Sequence, residues 1–122
     1  MSKFLLDTNI LFDALLGIEP ARAELRRAAR PWISRITWLD VLSAAPESTL
    51  AATEQFLGRF SVIELNEEIS QRAATIRRER PAMCLPDAIT WASAQVSGRT
   101  LITRNTQDFP AALPGIRVPY RL

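Results

Sequence analysis

The chain has 122 residues, 48% of them hydrophobic and 23% charged, with a formal net charge of +2 at neutral pH. That length fits a single domain over residues 1–122 with a core of its own, and the composition is that of a globular protein. There is no histidine and a single cysteine, Cys84, which excludes Ser-His-Asp and Cys-His catalysis, histidine or thiolate zinc sites and any disulfide framework.

Carboxylates, basic groups and hydroxyls are left to carry chemistry. Fourteen of the fifteen basic residues are arginine, which suits bidentate phosphate contacts but by charge alone favours a nucleic-acid partner only weakly. No apolar run approaches a membrane span. The opening residues Met1 to Asp7 do not read as a secretory signal, so a cytoplasmic protein is expected. Cys84 is expected to be a packing residue.

In chain order, Phe4-Leu5-Leu6 reads as a buried strand, followed by a helix over about Asn9 to Leu16 that stops at Gly17. Pro20 suits the first turn of a second helix running to about Arg30. Trp32-Ile33-Ser34 is a second strand, and Thr37 is the expected cap of a helix containing Trp38, Leu39, Val41 and Leu42. A helix over Ser48 to Arg59 and a strand over Ser61 to Leu65 come next. Asn66 with Glu67 and Glu68 starts a helix whose inner face carries Ile69, Ala73 and Ile76. Pro86-Asp87 opens another, closed by Gly98. Thr100 to Thr103 and Ile116 to Val118 complete the strands. Strands alternating with helices predict an α/β fold, with a mainly parallel central sheet flanked by helices on both faces.

In such folds ligands bind beyond the carboxyl ends of the strands. Asp7 directly follows the first strand, and Asp108 lies in the loop after the strand ending at Thr103. Asp40 and Asp87 read as first-turn helix acids, where the macrodipole alone accounts for a carboxylate. Asp7 has no such explanation, and an acid there is costly unless paired or bound to metal. If these carboxylates converge, arginine or a divalent cation must offset their repulsion. Magnesium prefers oxygen ligands and can activate water without a histidine. No P-loop or GxGxxG occurs.

The residues then resemble a known family. Leu5-Leu6-Asp7-Thr8-Asn9-Ile10-Leu11 resembles the opening motif of PIN-domain nucleases, and Ile33 to Asp40 the segment carrying their second acid. Arg77-Arg78-Glu79-Arg80 followed by Leu85-Pro86-Asp87-Ala88-Ile89 resembles the segment carrying the third. Leu101-Ile102-Thr103-Arg104-Asn105-Thr106-Gln107-Asp108-Phe109, then Pro114-Gly115-Ile116, resembles the closing motif of the VapC toxins within that family. The four matches fall in the family's order and span essentially the whole chain.

The resemblance implies metal-dependent endonucleolytic cleavage of RNA with Mg2+, or Mn2+ in its place. It implies Asp7 and Asp87 as direct metal ligands, with Asp108 and Asp40 completing the catalytic acids. Asn105 matches a polar position lining the site, and Thr8, Asn9 and Thr103 stand beside the acids. A small antitoxin that covers the site is the implied partner, and homodimers are common in the family. Asp40 departs from the pattern, because glutamate is usual there and aspartate is one methylene shorter. From position alone, Arg104 is the arginine best placed to meet a phosphate or to pair with a neighbouring acid. The apolar helix around Ile10 to Leu16, with those around Trp38 to Leu42 and Leu50 to Leu57, offers a surface for a partner or for ordinary burial. Two rival readings fit the same residues: an RNA- or protein-binding module without useful catalysis, and a housekeeping RNA-processing nuclease without an antitoxin.

Overall fold

The structure is a computed structural model that describes residues 3–27, 29–110 and 112–122. Its elements run β1 (Phe4–Leu6), α1 (Thr8–Leu15), α2 (Glu19–Arg27), β2 (Trp32–Ser34), α3 (Arg35–Ala44), α4 (Leu50–Leu57), β3 (Ser61–Ile63), α5 (Glu67–Glu79), α6 (Leu85–Ser97), β4 (Thr100–Ile102) and β5 (Ile116–Arg117), with a single 3-10 turn over Glu47–Thr49. The five strands form one parallel sheet in the order β3-β2-β1-β4-β5.

Strand alternation explains the two-sided core. Leu5 and Leu101 face a cluster built by Ile69, Ala73 and Ile76 of α5 with Trp91 and Ala92 of α6. Leu6, Ile33 and Ile102 face the other side, against Ile10, Leu11, Leu25, Val41 and Leu57. One residue's shift of register would exchange these sets, so the packing pins the sheet. β1 is central, and the direction of winding reverses between it and β4, which opens a crevice at the carboxyl edge between them.

Several boundaries differ from expectation. α3 begins at Arg35, three residues earlier than a Thr37 cap would allow. Ser34 is the cap: it ends β2 in an extended conformation, and its Oγ accepts the Thr37 N–H at 3.2 Å. Asp40 therefore lies in the second turn of α3 rather than the first. The expected 48–59 helix divides into the 3-10 turn and α4. β3, β4 and β5 each end one or two residues earlier than expected, and α1 starts and ends one residue earlier. The second helix was expected to reach Arg30, and Ala28 within that span lies outside the described residues. Cys84 is exposed, at the cap position of α6. Its neighbour Met83 is the residue that packs.

Candidate active site

Asp7 is the hinge between β1 and α1. Its backbone stays extended at φ −75° and ψ 159°, and its N–H continues the β1–β4 ladder by donating to the Ile102 carbonyl at 2.9 Å. Its Oδ1 accepts the Thr8 N–H at 2.8 Å, which caps α1. Oδ2 accepts from Thr103 Oγ1 at 2.8 Å and from Asn9 Nδ2 at 3.2 Å. Thr103 follows β4 directly, so the pairing of Leu6 with Ile102 brings the two side chains together.

Asp7 is 3% exposed. Burial pushes its carboxyl above the ordinary range, against the hydrogen bonds from Thr103, Thr8 and Asn9, and the charge of Asp40 pushes it further. Asp40 is itself raised by burial. Asp87 sits in the first turn of α6, and its pKa rises to about 6. Burial is the largest cause, the charge of Asp7 the next, and a hydrogen bond to the Asp108 carboxyl adds to them. Asp108 is held by a reciprocal pair with Asn105, whose Nδ2 donates to Asp108 Oδ2 at 3.0 Å and whose Oδ1 accepts the Asp108 N–H at 3.3 Å. The Asn105 N–H donates in turn to Thr103 Oγ1 at 3.0 Å. The four acids, carried by four parts of the fold, are thus linked electrostatically through Asp7 and Asp87.

Beneath them runs a chain of buried hydroxyls. Thr8 Oγ1 lies 2.9 Å from Thr37 Oγ1, Ser34 Oγ donates to Thr37 Oγ1 at 3.2 Å, and Ser34 Oγ lies 3.1 Å from Thr90 Oγ1. Ser34, Thr37 and Thr90 are buried. Thr37 precedes Asp40 by one helical turn, Thr90 follows Asp87 by one, and Thr8 is next to Asp7. The chain therefore ties together the three elements that carry those acids, at the turns that carry them. Thr8 contributes its hydroxyl to this chain and only its backbone N–H to Asp7. Ser34 and Thr90 were not anticipated, because a small hydroxyl on an inner face looks like any other packing residue.

Arg104 does not meet the acid set. Its backbone N–H donates to Asn9 Oδ1 at 3.1 Å, but its guanidinium turns to Asp13 on α1, with Nε–Oδ2 at 2.6 Å and Nη2–Oδ1 at 3.0 Å. The Tyr120 hydroxyl donates to the same Asp13 Oδ2 at 2.7 Å. Burial pushes Asp13 up, but these hydrogen bonds outweigh it and hold the carboxyl below its ordinary value. Asp13 and Tyr120 were missed in sequence. The available signal was an acid interrupting the apolar run Ile10-Leu11-Phe12-Asp13-Ala14.

Among the described residues, the ion pairs are Arg26–Glu19, Arg27–Glu24, Arg35–Glu64, Arg104–Asp13 and Arg117–Glu24. None includes Asp7, Asp40, Asp87 or Asp108, so the charge of this set is not offset by arginine. An all-oxygen, all-anionic donor set suits a hard divalent cation. Among the described residues no three acidic or thiol groups close around an ion unaided.

The PIN domain family matches residues 4–112. The tRNA(fMet)-specific endonuclease VapC of Salmonella typhimurium is 30% identical, over 97% of this chain and 97% of that protein. Among solved structures, a chain of a toxin-antitoxin complex from Klebsiella pneumoniae superposes with a TM-score of 0.88 at 38% identity, over 97% of this chain and 98% of that one. A chain of DNA-bound VapBC from Salmonella typhimurium superposes at 0.79 with 28% identity, over 99% and 98%.

Proposed function

The chain belongs to the PIN-domain family, and on that premise we propose that it is a divalent-cation-dependent endoribonuclease and the toxin of a toxin–antitoxin pair. The observation that carries the reading is a set of carboxylates, Asp7 buried and Asp40, Asp87 and Asp108 half-buried, without an arginine partner among the described residues, at the crevice where this fold binds ligands. Its relatives are a VapC endonuclease and chains of toxin–antitoxin complexes, and RNA, with tRNA tested first, is the substrate class that follows.

Asp7 and Asp87 are the groups that would hold Mg2+ or Mn2+, with Asp108 and Asp40 completing the set directly or through water. Such an ion, when bound, activates water and offsets charge developing on a phosphodiester. The remaining work falls to the chain. Thr103, Asn9 and the Thr8 N–H fix both oxygens of Asp7, and Asn105 fixes Asp108. With its pKa at about 6, Asp87 must shed a proton before it can receive a cation, so uptake weakens below that pH.

For the antitoxin we propose the apolar groove between α1, α3 and α4, a cavity of about 510 Å³ lined by Phe12, Leu15, Leu16, Val41, Pro46 and Ala52 among others. Leu16 is 78% exposed beside it, more apolar surface than an isolated domain profits from leaving in water.

The test is cleavage of end-labelled tRNA by purified, partner-free protein. The wild type is expected to cleave in Mg2+ and to stop in EDTA, and Asp7→Asn and Asp87→Asn to be slower by about 10³-fold. Cleavage by both variants at the wild-type rate would overturn the reading, and RNA binding without EDTA-sensitive cleavage would replace it with a binding module. Leu16→Glu is expected to retain cleavage but to escape inhibition by the product of a small reading frame adjoining the gene. A fully inhibited Leu16→Glu would remove the groove from the proposal.

A further inference from the structure

Arg104 stands in sequence between two residues that hold the acids, and its guanidinium is bound elsewhere, to Asp13. Its flanking residues are Thr103, which donates to Asp7, and Asn105, which donates to Asp108. Its own backbone N–H is bound to Asn9, which also donates to Asp7. Its side chain is one-third exposed, so the long stem is not locked by packing alone. What fixes the guanidinium is Asp13, whose side chain is 5% exposed and which takes both Nε and Nη2. Tyr120 donates to Asp13 Oδ2 from the C-terminal segment and holds that carboxylate in place.

We propose that Asp13 is a positioning residue that keeps the Arg104 guanidinium out of the Asp7–Asp87–Asp108 set, leaving that set free to take a divalent cation. Without Asp13, Arg104 becomes an internal counter-ion that competes with the metal. The physical reason is that repelling carboxylates favour whichever cation reaches them first. An arginine tethered one residue from two of their hydrogen-bond donors has a high effective concentration. Binding a divalent ion would then require expelling a guanidinium that fits carboxylates well. Asp13 removes that competitor by offering it a better-built site. The inference rests on the cation reading given above and adds the residue that protects it.

The experiment is Mn2+ binding to the metal-free protein, followed by the loss of the free-ion electron paramagnetic resonance signal at pH 7.5. Asp13→Asn keeps the shape and the acceptor for Tyr120 but loses the charge. It is expected to bind Mn2+ at least about tenfold more weakly than wild type. Arg104→Gln alone is expected to bind as wild type does, because the guanidinium is not a ligand. The double variant Asp13→Asn/Arg104→Gln is expected to return to within about threefold of Arg104→Gln. A merely structural role for Asp13 moves the other way, since the double variant would then bind no better than Asp13→Asn.

Unchanged binding in Asp13→Asn, or no recovery in the double variant, overturns the inference while leaving the cation reading intact. Absence of saturable Mn2+ binding by the wild type overturns the cation reading and this inference with it. If Asp13→Asn does not fold, Tyr120→Phe takes its place. It is expected to weaken Mn2+ binding two- to threefold, an effect that Arg104→Gln abolishes, and an effect that persists with Arg104→Gln overturns the inference.

Discussion

Asp7 and Asp13 stand six residues apart at the two ends of one short helix, and each is 3% exposed. Their surroundings differ in depth and in partners, Asp7 lying deeper in the fold. Asp7 receives three neutral donors and no cation, while Asp13 receives a guanidinium through two hydrogen bonds and a phenol hydroxyl besides. The first carboxyl is raised and the second lowered. The same residue type, closed to solvent in both places, is thus a liability at the deeper end of α1 and a staple at the other. The liability coincides with three more acids at the crevice of the sheet, and the staple consumes the arginine that stands between two of their hydrogen-bond donors, Thr103 and Asn105. A fold that can neutralise a buried acid at Asp13, and does not do so at Asp7, leaves Asp7 for something else.

The comparison is most forcefully broken by substituting each aspartate in turn. Asp7→Asn should slow RNA cleavage by about 10³-fold while raising the thermal midpoint of the metal-free protein by a few degrees, because it removes a buried charge that has no cation. Asp13→Ala should do the reverse to stability, lowering it by about 2 kcal/mol in urea unfolding, since it removes the acceptor of two hydrogen bonds from the Arg104 guanidinium and one from the Tyr120 hydroxyl. The exposed Arg26–Glu19 pair supplies the contrast: its loss should cost under about 1 kcal/mol. If Asp7→Asn proves as destabilising as Asp13→Ala, the distinction fails.

A smaller effect is expected at the hydroxyl chain. Thr37→Val leaves the hydroxyls of Ser34 and Thr8 short of a partner and should cost about 2 kcal/mol. Thr37→Ser should recover most of it, because the same oxygen is restored.

The last is the response to pH. Asp87 titrates near 6 when folded, above its unfolded value of 3.8, so the folded state holds the extra proton. That contribution is present in full below about pH 4 and is lost as pH rises through 6. Asp13 has the opposite sign, and its contribution is lost as pH falls below 3.8 towards its depressed folded value. The stability of Asp87→Asn measured against wild type in EDTA should therefore grow between pH 4 and 7. A difference that stays flat over that range would remove Asp87 as the group responsible.

Asp7, Asp87 and Asp108 were legible as candidates because strand ends and helix starts carry readable patterns, and the alternation of strands and helices placed them at one edge. Asp40 was misplaced by one turn, because a threonine and a serine three residues apart compete as caps and only backbone geometry decides between them. Arg104 was legible as an arginine near the site but not in its direction. Its partner lies 91 residues away and the phenol that completes the cluster lies 107 from Asp13, distances at which periodicity carries no information. Trp91 lies in the core, in edge-to-face contact with Phe109. Trp32 and Trp38 are only partly buried, and each lies under an arginine, Arg99 and Arg35. The strands end short of the expected bounds at Leu65, Thr103 and Val118, although the Thr103 N–H still bonds to the Arg117 carbonyl at 3.0 Å.

The central claim is that Asp7 and Asp87 keep an unmet demand for a divalent cation. It is tested most directly by thermal denaturation of wild type and Asp87→Asn, each with EDTA and with excess Mg2+, at pH 7.5. The account predicts a crossing: in EDTA the variant melts above the wild type, and with Mg2+ the wild type gains several degrees while the variant gains none. Equal gains with Mg2+ in both proteins, or a variant less stable than wild type in EDTA, would contradict it.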